Sequence, residues 1–330
     1  MDPLPYFPWK PDLPNGMNRS AKEPVGESAS PANAKKAASR IGFGITFMLI
    51  ADLSLSVLLL ALVYLFTPEP SESLLMTISS LALYGFGIPM LYLVIKALPK
   101  KPPVKKEGSF GHCLGVFLLC IPLLYLGSYV GLYFSSFVEG IIGLPLQDNL
   151  TQTVDGLSLP LILLFTVILA PIFEELVFRK WILDRLAGFG YGPAIGFSGL
   201  VFGLYHGNFY QFFYAFALGC LFAYVYLTTG KLRCSVLMHM VINLTGAFLP
   251  SLITRVLGEE SFAAGLFGTA ILLAILAGII LWIVFLATGK LRLPPQEGAL
   301  PEGKESCLFL NPGVIVFLLC MAGYFLLYLL

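Results

Sequence analysis

Nine apolar runs, at about 41–66, 74–96, 112–137, 159–183, 192–207, 209–228, 233–253, 262–289 and 309–330, dominate this chain, most of them near the ~20 residues that carry a helix across a bilayer. Inside the hydrocarbon core no water is at hand for backbone N–H and C=O groups, so a segment placed there must satisfy its own hydrogen bonds, which a helix does. Of the 330 residues, 57% are hydrophobic and 12% charged, and the mean hydropathy is +0.85. A water-soluble domain does not carry that balance. The expected fold is all-α: a polytopic transmembrane helix bundle of about eight or nine spans.

Charge orders the runs. Lys35, Lys36 and Arg40 precede the first, Lys96, Lys100, Lys101, Lys105 and Lys106 separate the second from the third, Arg179, Lys180 and Arg185 close the fourth, Lys231 and Arg233 precede the seventh, and Lys290 and Arg292 follow the eighth. The alternate connections hold Glu69, Glu72, Glu139, Asp148 and Asp155, with Arg255 the exception. Because basic residues stay on the cytoplasmic side, the N-terminus is expected in the cytoplasm, the C-terminus outside, and residues 138–158 in an external loop. Residues 1–40, rich in Pro, Ser, Asn and Lys and without an apolar period, are expected to be a disordered cytoplasmic tail. The first apolar run is longer than the core of a signal peptide. The six cysteines show no CxxC spacing and read as packing residues rather than as a disulfide or metal framework. No basic face suits nucleic acid.

Two spans carry small residues every fourth position, Gly199, Gly203 and Gly207, then Ala215, Gly219 and Ala223, which predicts close helix approach.

Polar residues within the later apolar runs are few: Glu174, Glu175, Arg179, His206, His239 and Asn243. A carboxylate at membrane depth costs several kcal/mol, roughly 3 on insertion scales, so an adjacent pair requires partners or a use. Glu175 and Arg179 stand i, i+4 and can pair, while Glu174 points about 100° away, free to face a cavity. His239 and Asn243 share a face by the same spacing, as do Phe202 and His206. Pro171 frees the carbonyl of Val167 and is expected to kink the helix. Counted at 1.5 Å per residue, His239 lies roughly 10 Å inside the cytoplasmic face, Glu174 roughly 16 Å when measured from Arg185, and His206 roughly 22 Å from Tyr191. His206 is thus too deep unless its helix tilts or begins within the bilayer. The third histidine, His112, reads as interfacial.

A glutamate and a histidine around one water make a general base, and a second histidine with an asparagine supplies donors for a developing oxyanion. That set reads as hydrolysis of a carbonyl compound, most simply a peptide bond. Other uses of the same residues are an inert buried polar network, a proton-coupled transporter with Glu174 in the relay, a bis-histidine haem site, or zinc held by Glu174, His206 and His239, all legitimate ligands but lacking a short two-ligand spacing.

Glu174-Glu175-Leu-Val-Phe-Arg179 fits EExxxR, Phe202-Gly-Leu-Tyr-His206 fits FxxxH, and His239-Met-Val-Ile-Asn243 fits HxxxN. In this order on successive apolar segments, over about 155–250, they resemble the CPBP family, the CAAX protease and bacteriocin-processing (Abi) enzymes. The resemblance implies a glutamate-type intramembrane endopeptidase, although the family was long labelled metalloprotease. It makes Glu174 and His206 the pair that activates water, His239 and Asn243 the oxyanion hole, and Glu175 and Arg179 structural support. It further implies a CPBP-like catalytic core over 159–253, flanked by transmembrane helices over 41–137 and 254–330. The expected setting is a bacterial cell membrane, with a membrane protein or peptide as substrate, the lipid bilayer as partner and no cofactor, zinc being the alternative. A catalytically silent scaffold or immunity protein of the same fold is the alternative function.

Overall fold

The computed structural model describes residues 29–104, 110–146, 154–293, 296 and 298–327. The expected disordered tail falls outside these residues up to position 28, as do Lys105, Lys106, residues 147–153 of the expected external loop, and the side chain of His112.

Among the described residues there are nine main helices and no strand: α1 (Pro31–Phe66), α2 (Glu72–Ile95), α3 (Phe110–Ile142), α4 (Leu159–Phe189), α5 (Tyr191–Tyr205), α6 (Phe209–Thr229), α7 (Leu232–Leu257), α8 (Phe262–Thr288) and α9 (Pro312–Leu327). Seven are long and apolar enough to cross a membrane. The fifth and ninth apolar runs form shorter helices, α5 of 15 residues and α9 of 16. At 1.5 Å per residue each falls short of the ~30 Å hydrocarbon core. The protein is a multi-pass helical membrane bundle.

Local sequence sets several of the helix starts. Ser30, Ser71, Asn208 and Ser261 each accept a hydrogen bond from the backbone N–H three residues on, satisfying a donor that the first turn leaves free. The Ser30 cap starts α1 ten residues before its apolar run, so residues 31–40 are helix rather than tail. Ala34, Ala37 and Ala38 are buried in that stretch. Their small size lets α9 close in: Ser39 Oγ accepts from Gly313 N at 3.0 Å, and a Cβ on Gly42 would strike the Gly313 backbone.

α6 lies at the centre. One side packs on α5, where a Cβ on Gly219 would sit 3.1 Å from the Gly199 Cα and one on Gly203 would sit 3.0 Å from the Phe212 carbonyl. The expected small-residue ridges therefore meet. Gly207 is the exception. It turns the chain at φ +70° beneath Tyr324 of α9 and is no part of the ridge. The other side of α6 meets a second glycine pair, Gly127 and Gly131 of α3, which lie against the backbones of Tyr214 and Tyr210. The two hydrophobic cores divide along α6. One gathers α1, α2, α4, α5 and α9, the other α3, α7 and α8.

Alternate connections gather at opposite ends. At one end Lys101 N donates to Asp184 O at 2.6 Å, Leu300 N to Phe189 O at 3.0 Å, and Ala29 N to Gly298 O at 3.2 Å. At the other, Arg255 donates to the carbonyls of Leu157 at 2.5 Å and Val154 at 2.6 Å. The one basic residue that departs from the charge alternation is thus engaged by the acidic-side loop itself. Cys120, Cys220, Cys234, Cys307 and Cys320 are free thiols.

Candidate active site

α4 carries the glutamates, and its backbone is not uniform. A short α-helical stretch, Ala170–Glu175, lies between two stretches of wide i→i+5 turns, Ile162–Leu169 and Leu176–Leu183. Such wide turns are common at functional sites. In the first stretch Ala170 N bonds to the carbonyl of Phe165. The next carbonyl in that ladder, Thr166 O, would need the N–H of residue 171, which is proline and has none. Asn243 fills the vacancy, its Nδ2 donating to Thr166 O at 2.9 Å. The carbonyl freed by Pro171 is therefore that of Thr166, not Val167 as i, i+4 counting predicts, because the ladder there has already shifted by one residue. Thr166 was not legible as part of the site for the same reason.

Glu175 is fully buried and has three partners. Its Oε2 lies 3.2 Å from Arg179 Nε, its Oε1 lies 3.1 Å from His239 Nδ1, and Ser235, one turn before His239, also reaches it. Arg179, equally buried, donates to Gly219 O at 3.2 Å and lies over the Phe202 ring at 4.5 Å. Burial of a charged pair persists only when hydrogen bonds complete it, and here the close Gly219 approach supplies one. Glu174 points elsewhere, as the helical angle requires. Its carboxylate is partly open, 29% exposed, and its Oε2 lies 3.8 Å from His239 Nε2. His239 thus stands between the two carboxylates, with Phe222 and Phe202 rings at 5.1 and 5.8 Å. Ser235 is signalled in the sequence only by its i, i+4 spacing to His239.

His206 closes α5. The last turn tightens: His206 N bonds to Gly203 O at 3.3 Å, which leaves the Phe202 carbonyl without a backbone donor, and His206's own Nδ1 lies 2.8 Å from it. A carbonyl only accepts, so Nδ1 carries the hydrogen and a neutral ring has its lone pair on Nε2. The Phe202 ring walls the imidazole at 4.9 Å, edge-on.

The depth mismatch of His206 resolves in the α4–α5 hairpin. α4 does not end near Arg185 but continues to Phe189, and α5 starts at Tyr191 after Gly190 (φ 141°). Glu174 is sixteen residues before Gly190 and His206 sixteen after it. Counted from one turn, they are level. Phe178 on α4 stacks edge-on against Phe202 on α5 at 5.1 Å, fixing this register.

Glu174, His206, His239 and Asn243 all line one cavity of about 530 Å³. Its other walls are mostly apolar and aromatic, among them Leu124, Tyr129, Phe165, Leu218 and Phe222. All six polar residues singled out from the sequence are brought together, four at the cavity and Glu175 with Arg179 directly behind. Among the described residues no group of three His, Cys, Asp or Glu side chains is arranged to hold an ion.

Fold and site together define a polytopic helical membrane protein with a carboxylate–imidazole cluster at an intramembrane cavity. Residues 156–245, which hold every member of that cluster, match the family described as "Type II CAAX prenyl endopeptidase Rce1-like". This is the kinship that the three ordered motifs indicate. The chain is also 26% identical over 136 residues to "Putative membrane peptidase YdiL" of Bacillus subtilis (strain 168), a match covering 37% of this chain and 55% of that protein. No solved structure matches the chain.

Proposed function

We propose that this protein is an intramembrane endopeptidase that hydrolyses a peptide bond of a membrane-associated protein or peptide, with water activated by Glu174 and His206. The observation that carries the reading is the facing of Glu174 and the Nε2 side of His206 into one cavity, which both line. The Rce1-like match over the same helices supports it.

In this mechanism a water lies between the Glu174 carboxylate and His206 Nε2, and one of them takes its proton as the oxygen attacks the scissile carbonyl. A hydrogen on His239 Nε2 and the second amide hydrogen of Asn243 receive the oxyanion. Collapse of the tetrahedral intermediate breaks the C–N bond, and the proton first taken from water passes to the leaving amine. Glu175 and Arg179 hold His239 in place and touch no reacting atom.

A proteomic comparison of membranes containing the wild-type chain with membranes containing Glu174→Ala tests this reading. Peptides or shortened proteins found only with the wild type support it and name the substrate. Identical profiles, with both chains present at equal levels, would leave a non-catalytic scaffold as the better account.

A further inference from the structure

The turn that ends in His206 is held by a residue outside the three motifs. Asn208 is 7% exposed, and its side-chain oxygen and nitrogen both bond within the turn and the first turn of α6. Its Oδ1 accepts from Gln211 N at 2.9 Å, capping α6. Its Nδ2 donates to the carbonyl of His206 at 2.9 Å and to Gln211 Oε1 at 2.8 Å. Gln211 in turn donates to Tyr214 OH at 2.9 Å, and both line the cavity. Between His206 and Asn208 stands only Gly207, at φ +70°, a conformation that leaves the turn no spare length.

A cap alone would need only Oδ1. Ser, Asp and Asn cap about equally well, yet only an amide both accepts from Gln211 N and presents two hydrogens, one of them to His206 O. The His206 backbone is therefore gripped from its C-terminal side by Asn208, while its ring is gripped from the N-terminal side by Phe202 O. The two bonds together fix the ring's direction and its Nδ1–H form.

We propose that Asn208 is a positioning residue for His206, which holds the α5–α6 turn so that His206 keeps Nδ1–H on Phe202 O and turns Nε2 into the cavity. This rests on the reading of His206 as part of the water-activating pair, but the geometry it predicts is measurable without turnover.

The test uses the full-length protein in nanodiscs, as wild type, Asn208→Ser and Asn208→Asp. Both variants keep an acceptor for Gln211 N and lose the amide donor to His206 O. Two readouts are taken. The first is the 15N spectrum of histidine-labelled protein, tractable because the chain has 3 histidines, with the His206 signal identified by its loss in His206→Gln. The second is peptide cleavage by the proposed activity. The expected result is a single Nδ1–H form for His206 in the wild type and a mixed or exchanging signal in both variants. Melting temperature should fall modestly, more in Asn208→Asp than in Asn208→Ser, and kcat should fall by roughly tenfold to 10²-fold with KM little changed, as for a misplaced reacting group. A His206 signal identical in all three proteins overturns the proposal, whatever the activity. So does an unchanged kcat in both variants. If the wild type cleaves nothing while the His206 signal responds as expected, the peptidase reading fails and the positioning role stands.

Discussion

Asn243 Nδ2 reaches the carbonyl of Thr166 at 2.9 Å, a carbonyl that a wide turn and Pro171 together leave without a backbone donor. One hydrogen of the amide is therefore structural, and the other is available to the cavity that Asn243 lines. Asn243→Ala should lose both functions: up to about 1–3 kcal/mol of stability from a part-buried carbonyl left without its donor, and roughly 10²–10³ in rate from a lost oxyanion donor. Pro171→Ala returns an N–H at the position Thr166 O lacks. The double variant should recover melting temperature but not cleavage. Recovery of cleavage would show that Asn243 acts only as a backbone prop.

The two glutamates should separate cleanly. Glu174→Gln is expected to keep the melting temperature and lose on the order of 10²–10⁴ in rate, as for removal of a general base. Glu175→Gln leaves Arg179 buried and unpaired, at a cost of roughly 3–5 kcal/mol, and should unfold early. Glu175→Gln with Arg179→Met should regain part of that stability. Thermal melts and peptide cleavage on the three proteins decide it. The opposite pattern would exchange the two roles.

Cleavage should survive strong chelators. Among the described residues no group of three His, Cys, Asp or Glu side chains is arranged for an ion. Activity lost with phenanthroline and restored by Zn²⁺ would instead assign the metal-assisted mechanism.

Gly219→Ala should damage both stability and turnover. The added Cβ would lie 2.9 Å from Phe202 Cδ1 and 3.1 Å from Gly199 Cα, pushing on the ring that walls both His206 and Arg179. Overpacking of this kind costs about 1–3 kcal/mol. Gly140→Ala, where nothing lies within 4 Å, is the control and should be neutral in both measurements.

Orientation can be read by labelling. With native cysteines replaced, a cysteine at Lys101 should be shielded from an impermeant maleimide applied outside intact cells, and one at Glu69 should react. The charge alternation along the chain sets this expectation, and the reverse pattern would invert the protein in its membrane.

Much of the site was legible because helical spacing is rigid. The i, i+4 relations placed Arg179 on Glu175, Phe202 against His206, and Glu174 off to the cavity side, and each contact is present. What the sequence hid were departures from regular helix. Wide turns moved the orphan carbonyl from Val167 to Thr166, and the tightened end of α5 made His206 bond to its own helix. Neither departure has a periodic signature. Helix ends were also hidden where burial is polar. Arg185 reads as the close of the fourth run, but it and Asp184 are buried, Asp184 holding Tyr226 OH at 2.6 Å and Arg185 the carbonyl of Ile95 at 2.9 Å, so α4 runs on to Phe189. That missed extension is what made His206 look too deep.

The α4–α5 hairpin behaves as a pair of matched rulers folded at Gly190. Each arm measures the same count of residues, to Glu174 on one side and to His206 on the other. Adding one residue to a single arm would rotate that side chain by about 100° and lift it by 1.5 Å, enough to point it out of the cavity. Length within the arms is thus as strictly constrained as the identity of Glu174 and His206, although no side chain along the way announces it.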